Sequence, residues 1–233
     1  MRKTILIILF SLLFLLPGTL LAKGLDFYSM FPNLTLGFDP SGVDTDTARA
    51  VNGGLSATQQ KVQIRVITDN ANPDDYLQGV QVDVAISADC QGVTLDETEA
   101  TVFGGSAAGD WGIKSVAWVA PSTGIPGTLR VGAVELDTLD PGAPLGPGNH
   151  LFATLVFNLS EPCNICCEIE PYDEGDPTIF VTTLANGYGP VVEGDCFGPA
   201  VPTLSEWGLI LFGLVLLVGI VWYVRRRRIA VAA

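Results

Sequence analysis

The chain has 233 residues, 48% of them hydrophobic, with 25 acidic against 12 basic side chains and a formal net charge of −13. Six of the basic residues, Arg2, Lys3 and Arg225 to Arg228, lie at the two ends, and Glu206 is the one acid of the tail, so the part between holds 24 acidic against 6 basic residues, a balance of −18. Such a surface repels nucleic acid and anionic envelope polymers, which excludes a nucleic-acid partner, while its carboxylates suit divalent cations.

In chain order, Arg2 and Lys3 precede an apolar run over 4–16, followed by Pro17-Gly18 and a small residue at Ala22. These are the charged region, apolar region and cleavage site of a secretory signal peptide. The reading predicts a signal peptide over 1–22, Sec-type export, a cut after Ala22 and a mature chain starting at Lys23. No cysteine stands at the cut, so lipoprotein processing is not expected.

Residues 23–57 are rich in Gly, Pro, Asp, Asn and Thr, with one apolar alternation over 34–38 that predicts an opening strand. The first clear strand is predicted over 58–68, with Val62, Ile64 and Val66 on one face and Lys61, Gln63 and Arg65 on the other. A polar loop over 69–76 leads to a second, over 80–86, apolar at every other position. Further strands are predicted over 92–95, 100–103, 115–119, 128–136 and 150–159, and two more over 178–184 and 190–193. Nothing between the two ends shows a sustained helical period. Short strands spaced by Gly- and Pro-rich loops predict an all-β fold, an antiparallel β-sandwich over 23–199.

The runs YLQGVQVDVAIS, VTLDETEATVFGG, GTLRVGAVEL and GPGNHLFATLVFNLSE, with the closing pattern Leu155-Val156-Phe157-Asn158-Leu159, resemble the cohesin-type sandwich over about 60–193. Other immunoglobulin-like sandwiches give similar strings. The resemblance implies a fold and not a dockerin receptor, because recognition lies in surface side chains.

Five cysteines remain after export: Cys90, Cys163, Cys166, Cys167 and Cys196. The cluster PCNICCE holds a C-x-x-C, half of a zinc site, but no second pair stands at comparable spacing and the one histidine, His150, lies in a predicted strand. In an oxidising compartment two disulfides and one leftover thiol are expected, with Cys196 bonded to Cys163, Cys166 or Cys167. The odd thiol is available to a second chain or a partner.

Catalytic signatures are sparse. His150 has no nucleophile elbow beside it, and the chain lacks a phosphate-binding glycine loop and an H-E-x-x-H. Asp96/Glu97/Glu99 and Glu168/Glu170 are the carboxylate pairs a glycosidase would use, with Trp111 and Trp118 as sugar platforms or core. Asp39/Asp44/Asp46, Asn70/Asn72/Asp74/Asp75 and Asp173/Glu174/Asp176 are oxygen-rich loops of a kind that holds Ca²⁺, though none has EF-hand spacing.

The C-terminus is the most specific stretch. Residues 207–224 run from Trp207 to Val224 without a charge, long enough to cross a bilayer core, and Arg225, Arg226, Arg227 and Arg228 close them. Basic residues stay in the cytoplasm, so the span predicts a transmembrane helix with a cytoplasmic tail over 225–233. Ahead of it, over 200–208, stand Val201, Pro202, Thr203, Leu204, Ser205, Glu206, Trp207 and Gly208. This order of motif, helix and arginines resembles the IPTL-CTERM sorting tail of Gram-negative bacteria, with Val201 where the family name has isoleucine. The resemblance implies recognition, with cleavage, by an exosortase-type membrane protease. The precursor is then expected in the inner membrane with its domain in the periplasm, and the mature form at the cell surface or outside. The function expected is a non-catalytic surface or matrix protein that contacts polysaccharide or another surface protein. The alternative is a secreted glycosidase.

Overall fold

The computed structural model describes residues 34–37, 39–40, 45–56, 58–122, 124–136, 142–172, 178–198, 208 and 210–218. The expected signal peptide lies outside them. The chain divides into two units, residues 1–198 and 199–233.

Among the described residues of the first unit, thirteen strands form two sheets: β1 (Thr35–Leu36), β2 (Thr47–Leu55), β3 (Gln59–Thr68), β4 (Leu77–Ala88), β5 (Thr94–Leu95), β6 (Ile113–Val119), β7 (Gly127–Val134), β8 (Gly148–Asn158), β9 (Ile165–Ile169), β10 (Ile179–Thr182), β11 (Asn186–Tyr188), β12 (Val191–Glu193) and β13 (Asp195–Phe197). One sheet runs β12-β2-β3-β8-β5. The other runs β1-β11-β10-β4-β7-β6, with β9 on β4 and β13 on β9. Pairing is antiparallel except at two edges, where β1 joins β11 and β12 joins β2 in parallel.

The alternation that marks β3 and β4 fills the space between the sheets. Val62, Ile64 and Val66 from one side and Val80, Val82, Val84 and Ile86 from the other belong to a single apolar core. Strand β4 is long enough to carry two partners on one edge. Its start pairs with β10 and its end with β9, while Thr178 Oγ1 accepts the Asp83 N–H at 3.1 Å in the gap.

A phase slip in β8 explains why HLFATLVFNL is not a simple alternation. Ile64 faces Ala153 and Arg65 faces Leu151, so Phe152 is the extra residue of a bulge. Phe152 and Ala153 are therefore both buried, and the alternation resumes with Leu155 and Phe157 inside.

The strand expected over 100–103 is instead a helical turn, α1 (Glu99–Val102). The Asp96 carboxylate accepts from the Thr98 N–H at 3.1 Å, the Thr98 hydroxyl at 2.8 Å and the Thr101 hydroxyl at 2.9 Å, and this local bonding starts the turn. The turn is held by the core it covers, because Val102 and Phe103 are buried and the Phe103 ring meets Phe152 edge-on at 5.8 Å.

Four strands fall where none was expected: β2, β9, β11 and β13. In β2 the core-facing positions are Ala48 and Ala50, too small to mark a strand by hydropathy. The pairing then shifts between Asn52 and Gly54, where Gly54 takes φ 121°, a conformation suited to glycine. Gln60, fully buried, serves that irregularity: its amide donates to Asn52 Oδ1 at 3.2 Å and to the Gly54 carbonyl at 3.1 Å.

Candidate functional site

In the second unit, Gly208 and residues 210–218 are helical. Ile210, Leu211, Phe212, Leu214, Val215, Leu216, Leu217 and Val218 are all exposed large apolar side chains of this segment. Among the described residues no helix is long and apolar enough to cross a membrane. Val201 to Trp207, Arg225 to Arg228 and the remainder of the expected span lie outside the described residues.

The cysteine cluster is resolved by strand register. Strand β9 places Cys163 just before it, turns Cys166 outward and turns Cys167 inward. Cys166 lies opposite Cys196 of β13 and is bonded to it, and Cys163 is bonded to Cys90 at the end of β4. Four sulfurs are thereby committed to disulfides. Cys167 is a free thiol within the core, and burial pushes its pKa up to about 12. That placement corrects the expectation of a thiol open to a second chain. Asp89, beside the first bridge, accepts from the Asn164 N–H and amide, both at 2.8 Å.

Several of the catalytic candidates are engaged in structural contacts. His150 Nε2 bonds the Gly146 carbonyl at 2.8 Å. The Thr98 backbone N–H, then the Thr98 and Thr101 hydroxyls, hold the Asp96 carboxyl below the usual 3.8, the reverse of what a general acid needs. Glu168 and Glu170 are exposed at β9 and just beyond it. Trp111 is 1% exposed, and the half-buried Trp118 packs on Phe157 at 5.8 Å, so neither presents an open platform for a sugar.

On the outer face of the larger sheet a groove of about 310 Å³ is lined by Asp83, Ala117, Val119, Thr128, Arg130 and Glu170. Arg130 stands directly across from Asp83 in the β4–β7 register. Its Nε donates to both carboxylate oxygens, at 2.8 and 3.0 Å, and its guanidinium closes the ion pair. This charge-assisted, fork-like pairing fixes the polar centre of an otherwise small-residue face. The pair carries no signal in the sequence, because Asp83 and Arg130 are 47 residues apart and only the strand register brings them together.

The oxygen-rich loops are redistributed. Asp74 and Asp75 fall in a 3₁₀ turn (Pro73–Asp75), and Asn72 caps it by accepting from the Asp74 N–H at 3.3 Å. Asn70 instead joins Asp46, across the hairpin of β2 and β3. Asp39, Asp46 and Asp69 offer carboxylate oxygens within 4.8 Å of one another, the first two buried and the third exposed. The Asp69 N–H donates to Asp46 Oδ1 at 2.9 Å, the Asp46 N–H to Asp39 Oδ2 at 3.3 Å, and the Tyr188 hydroxyl to Asp46 Oδ2. Burial lifts the Asp46 carboxyl above its ordinary value against these bonds, and it lifts the Tyr188 phenol strongly, with the Asp46 charge adding to it. Asp69 and Tyr188 carry no local motif; the strand ends that gather them were the only signal, and β2 and β11 were not legible. Asp44, Asp173, Glu174 and Asp176 lie outside the described residues.

No curated protein matches the sequence. Among solved structures, the chain is similar to a type II cohesin domain from the cellulosome of Acetivibrio cellulolyticus, at 11% identity and a TM-score of 0.36, covering 66% of this chain and 95% of that one. It is also similar to the second type II cohesin module of an adaptor scaffoldin from the same organism, at 15% identity and a TM-score of 0.37, covering 68% and 91%. A cohesin from a type II cohesin–X-dockerin complex of that organism overlays at 12% identity and a TM-score of 0.31, covering 64% and 96%. Overlays this loose leave the fold resting on the strand pairing given above. The tail is identified by sequence: residues 199–228 carry the IPTL-CTERM motif.

Proposed function

We infer that this protein is exported, held at the inner membrane through its tail, cut there by an exosortase-type protease, and delivered to the cell surface or beyond as a non-catalytic binding or scaffold module. The observation that carries this reading is the IPTL-CTERM motif over 199–228, placed directly after a β-sandwich. Two further features support it. The helical segment over 210–218 is apolar on every side, which suits lipid and not a protein surface. The two disulfides of the sandwich suit an oxidising compartment outside the cytoplasm. The structural engagement of Asp96, His150 and Trp111 favours binding over catalysis. The partners of such a module are a surface polysaccharide or another surface protein, met on its exposed sheet faces.

The test is intact-mass analysis of the protein recovered from its native envelope. Expected is a species that starts at Lys23 and ends in or near 202–208, without the apolar segment. Full-length chain in every fraction, tail included, would overturn the processing step.

A further inference from the structure

The approach to β2, the exit of β3 and the end of β11 meet at one corner of the sandwich, and they meet through oxygen atoms. Asp39 and Asp46 are 5% and 1% exposed, and Asp69 stands at the solvent side of the same cluster. Oxygens that share one calcium ion at 2.3–2.6 Å lie no more than about 5 Å apart. These carboxylate oxygens all lie within 4.8 Å of one another, inside that limit. The hydrogen bonds on the Asp46 carboxylate come from the Asp69 N–H, the Asn70 amide and the Tyr188 and Thr68 hydroxyls, all neutral donors. A carboxylate removed from water calls for a positive partner.

A separate observation points to the same partner. Asn70 is 2% exposed, and its amide nitrogen donates to Asp46 Oδ2 at 3.2 Å and to the Tyr188 oxygen at 2.9 Å. The other end of that amide, Oδ1, is buried and has no hydrogen-bond partner among the described residues. Buried carbonyl oxygens are almost always satisfied. An acceptor without a donor thus belongs to the very side chain that bonds a buried carboxylate, and a cation satisfies both.

We propose that Asp39, Asp46, Asp69 and Asn70 form a calcium site that clamps the approach to β2 onto the ends of β3 and β11. The donors are all hard oxygens, carboxylate and amide, and their irregular arrangement suits calcium better than magnesium, which demands near-octahedral geometry. Entry is from the Asp69 side, where Thr45 donates its hydroxyl to Asp69 Oδ2 at 2.7 Å. Binding ties the approach to β2 to the exit of β3, with β11 held through the Tyr188–Asp46 bond, so its effect is on stability.

The experiment uses the full chain in detergent, stripped with chelator and then titrated. Extracellular calcium modules bind at roughly 0.1–1 mM, so calcium at about 10 mM is expected to raise Tm by about 3–11 °C. Terbium supplies a direct probe, because Tyr188 bonds the proposed ligand Asp46 and lies close enough to sensitise its luminescence. Expected is tyrosine-excited terbium emission that calcium displaces and the same concentration of magnesium does not. Asp69→Asn, at an exposed position, is expected to fold normally in chelator and to lose calcium affinity at least about tenfold. Tyr188→Phe is expected to lose most of the emission while keeping the calcium-dependent rise in Tm. The proposal is overturned if calcium changes neither Tm nor terbium emission, or if Asp69→Asn binds like wild type.

Discussion

Trp111 decides between a packed sandwich and one that displays a sugar platform, and the two readings predict different losses. The side chain belongs to the main core, and its Nε1–H donates to the Ala143 carbonyl at 3.3 Å. Gly142 permits that approach, because a Cβ there would stand 2.8 Å from Trp111 Cδ1 and 2.8 Å from Glu135 Oε2. Trp111→Ala therefore removes a fully enclosed ring, at a cost of about 3–5 kcal/mol. At about 2–4 °C per kcal/mol for a domain of this size, Tm should fall by roughly 6–20 °C. Trp111→Phe retains most of the apolar contact and loses one hydrogen bond. Ala143 is exposed, so water can take over its carbonyl, and the net cost is about 1 kcal/mol, or roughly 2–4 °C. Thermal unfolding by circular dichroism measures both, alongside gel retardation on a panel of polysaccharides. The core assignment is refuted if both variants unfold at the wild-type temperature, or if Trp111→Phe abolishes carbohydrate retardation at unchanged Tm.

Other outcomes follow from the buried thiol and from the opening of α1. With its pKa near 12 and its sulfur between the sheets, Cys167 should resist iodoacetamide at pH 8 in the native chain and take up one equivalent after unfolding in guanidinium, read by mass; uptake in the native state would place it at the surface. Asp96 titrates below its ordinary 3.8 when folded, so as pH falls the unfolded chain takes the proton first. Its stabilising contribution is complete above the unfolded value and is lost as pH drops through the folded one. The Tm difference between wild type and Asp96→Ala should accordingly be constant near neutrality and shrink below pH 3.8; a gap that stays constant down to acid pH would show that the Thr98 and Thr101 bonds do not favour the charged form.

The parts of the fold that were legible in the sequence are those where large apolar side chains alternate without interruption. Val62, Ile64 and Val66 of β3 and Val80, Val82 and Val84 of β4 announce their strands, and both strands sit centrally in their sheets. Legibility fails for three physical reasons. In β2 the buried face is made of alanines, and packing alone decides that Ala48 and Ala50 point inward. In β9 the inward set Ile165, Cys167 and Ile169 does alternate, but the cysteines draw attention to redox and metal chemistry instead of to the period. In β11 and β13, three residues each, no period can be read, and pairing to β10 and β9 defines them. The oxygen cluster inherits these failures. Thr47 pairs with Ile67, so Asp46 and Asp69 become neighbours only once β2 and β3 are known to form a hairpin. Tyr188 arrives from 142 residues away.

The tail poses the converse problem, because its order of residues is informative where its length is not. A passive anchor requires apolar length and flanking charge, and any shuffle of the residues outside the membrane serves equally well. A protease that reads a signal requires particular side chains held at a fixed depth. A proline ring fixes φ and disfavours a helical residue before it, so a proline at position 202 suits a signal that is read in extended form. Trp207 favours the interface, where an amphipathic ring has one side in lipid and its N–H in water. Gly208 leaves room for an enzyme or a neighbouring helix to approach the backbone. In the proposed topology the four arginines would oppose displacement of the segment toward the periplasm, and so set the height of 202–208 at the outer surface of the inner membrane. The double substitution Pro202→Ala and Trp207→Ala leaves residues 208–224 uncharged and apolar, so membrane insertion should be unchanged by carbonate extraction. Maturation should stop, with full-length chain accumulating in the inner membrane and none reaching the surface fraction. A second variant, replacing Arg225 to Arg228 by lysine, preserves the charge and should mature normally. Should the Pro202/Trp207 variant be processed and localised like wild type, the octet has no role in recognition and the tail acts as an anchor alone.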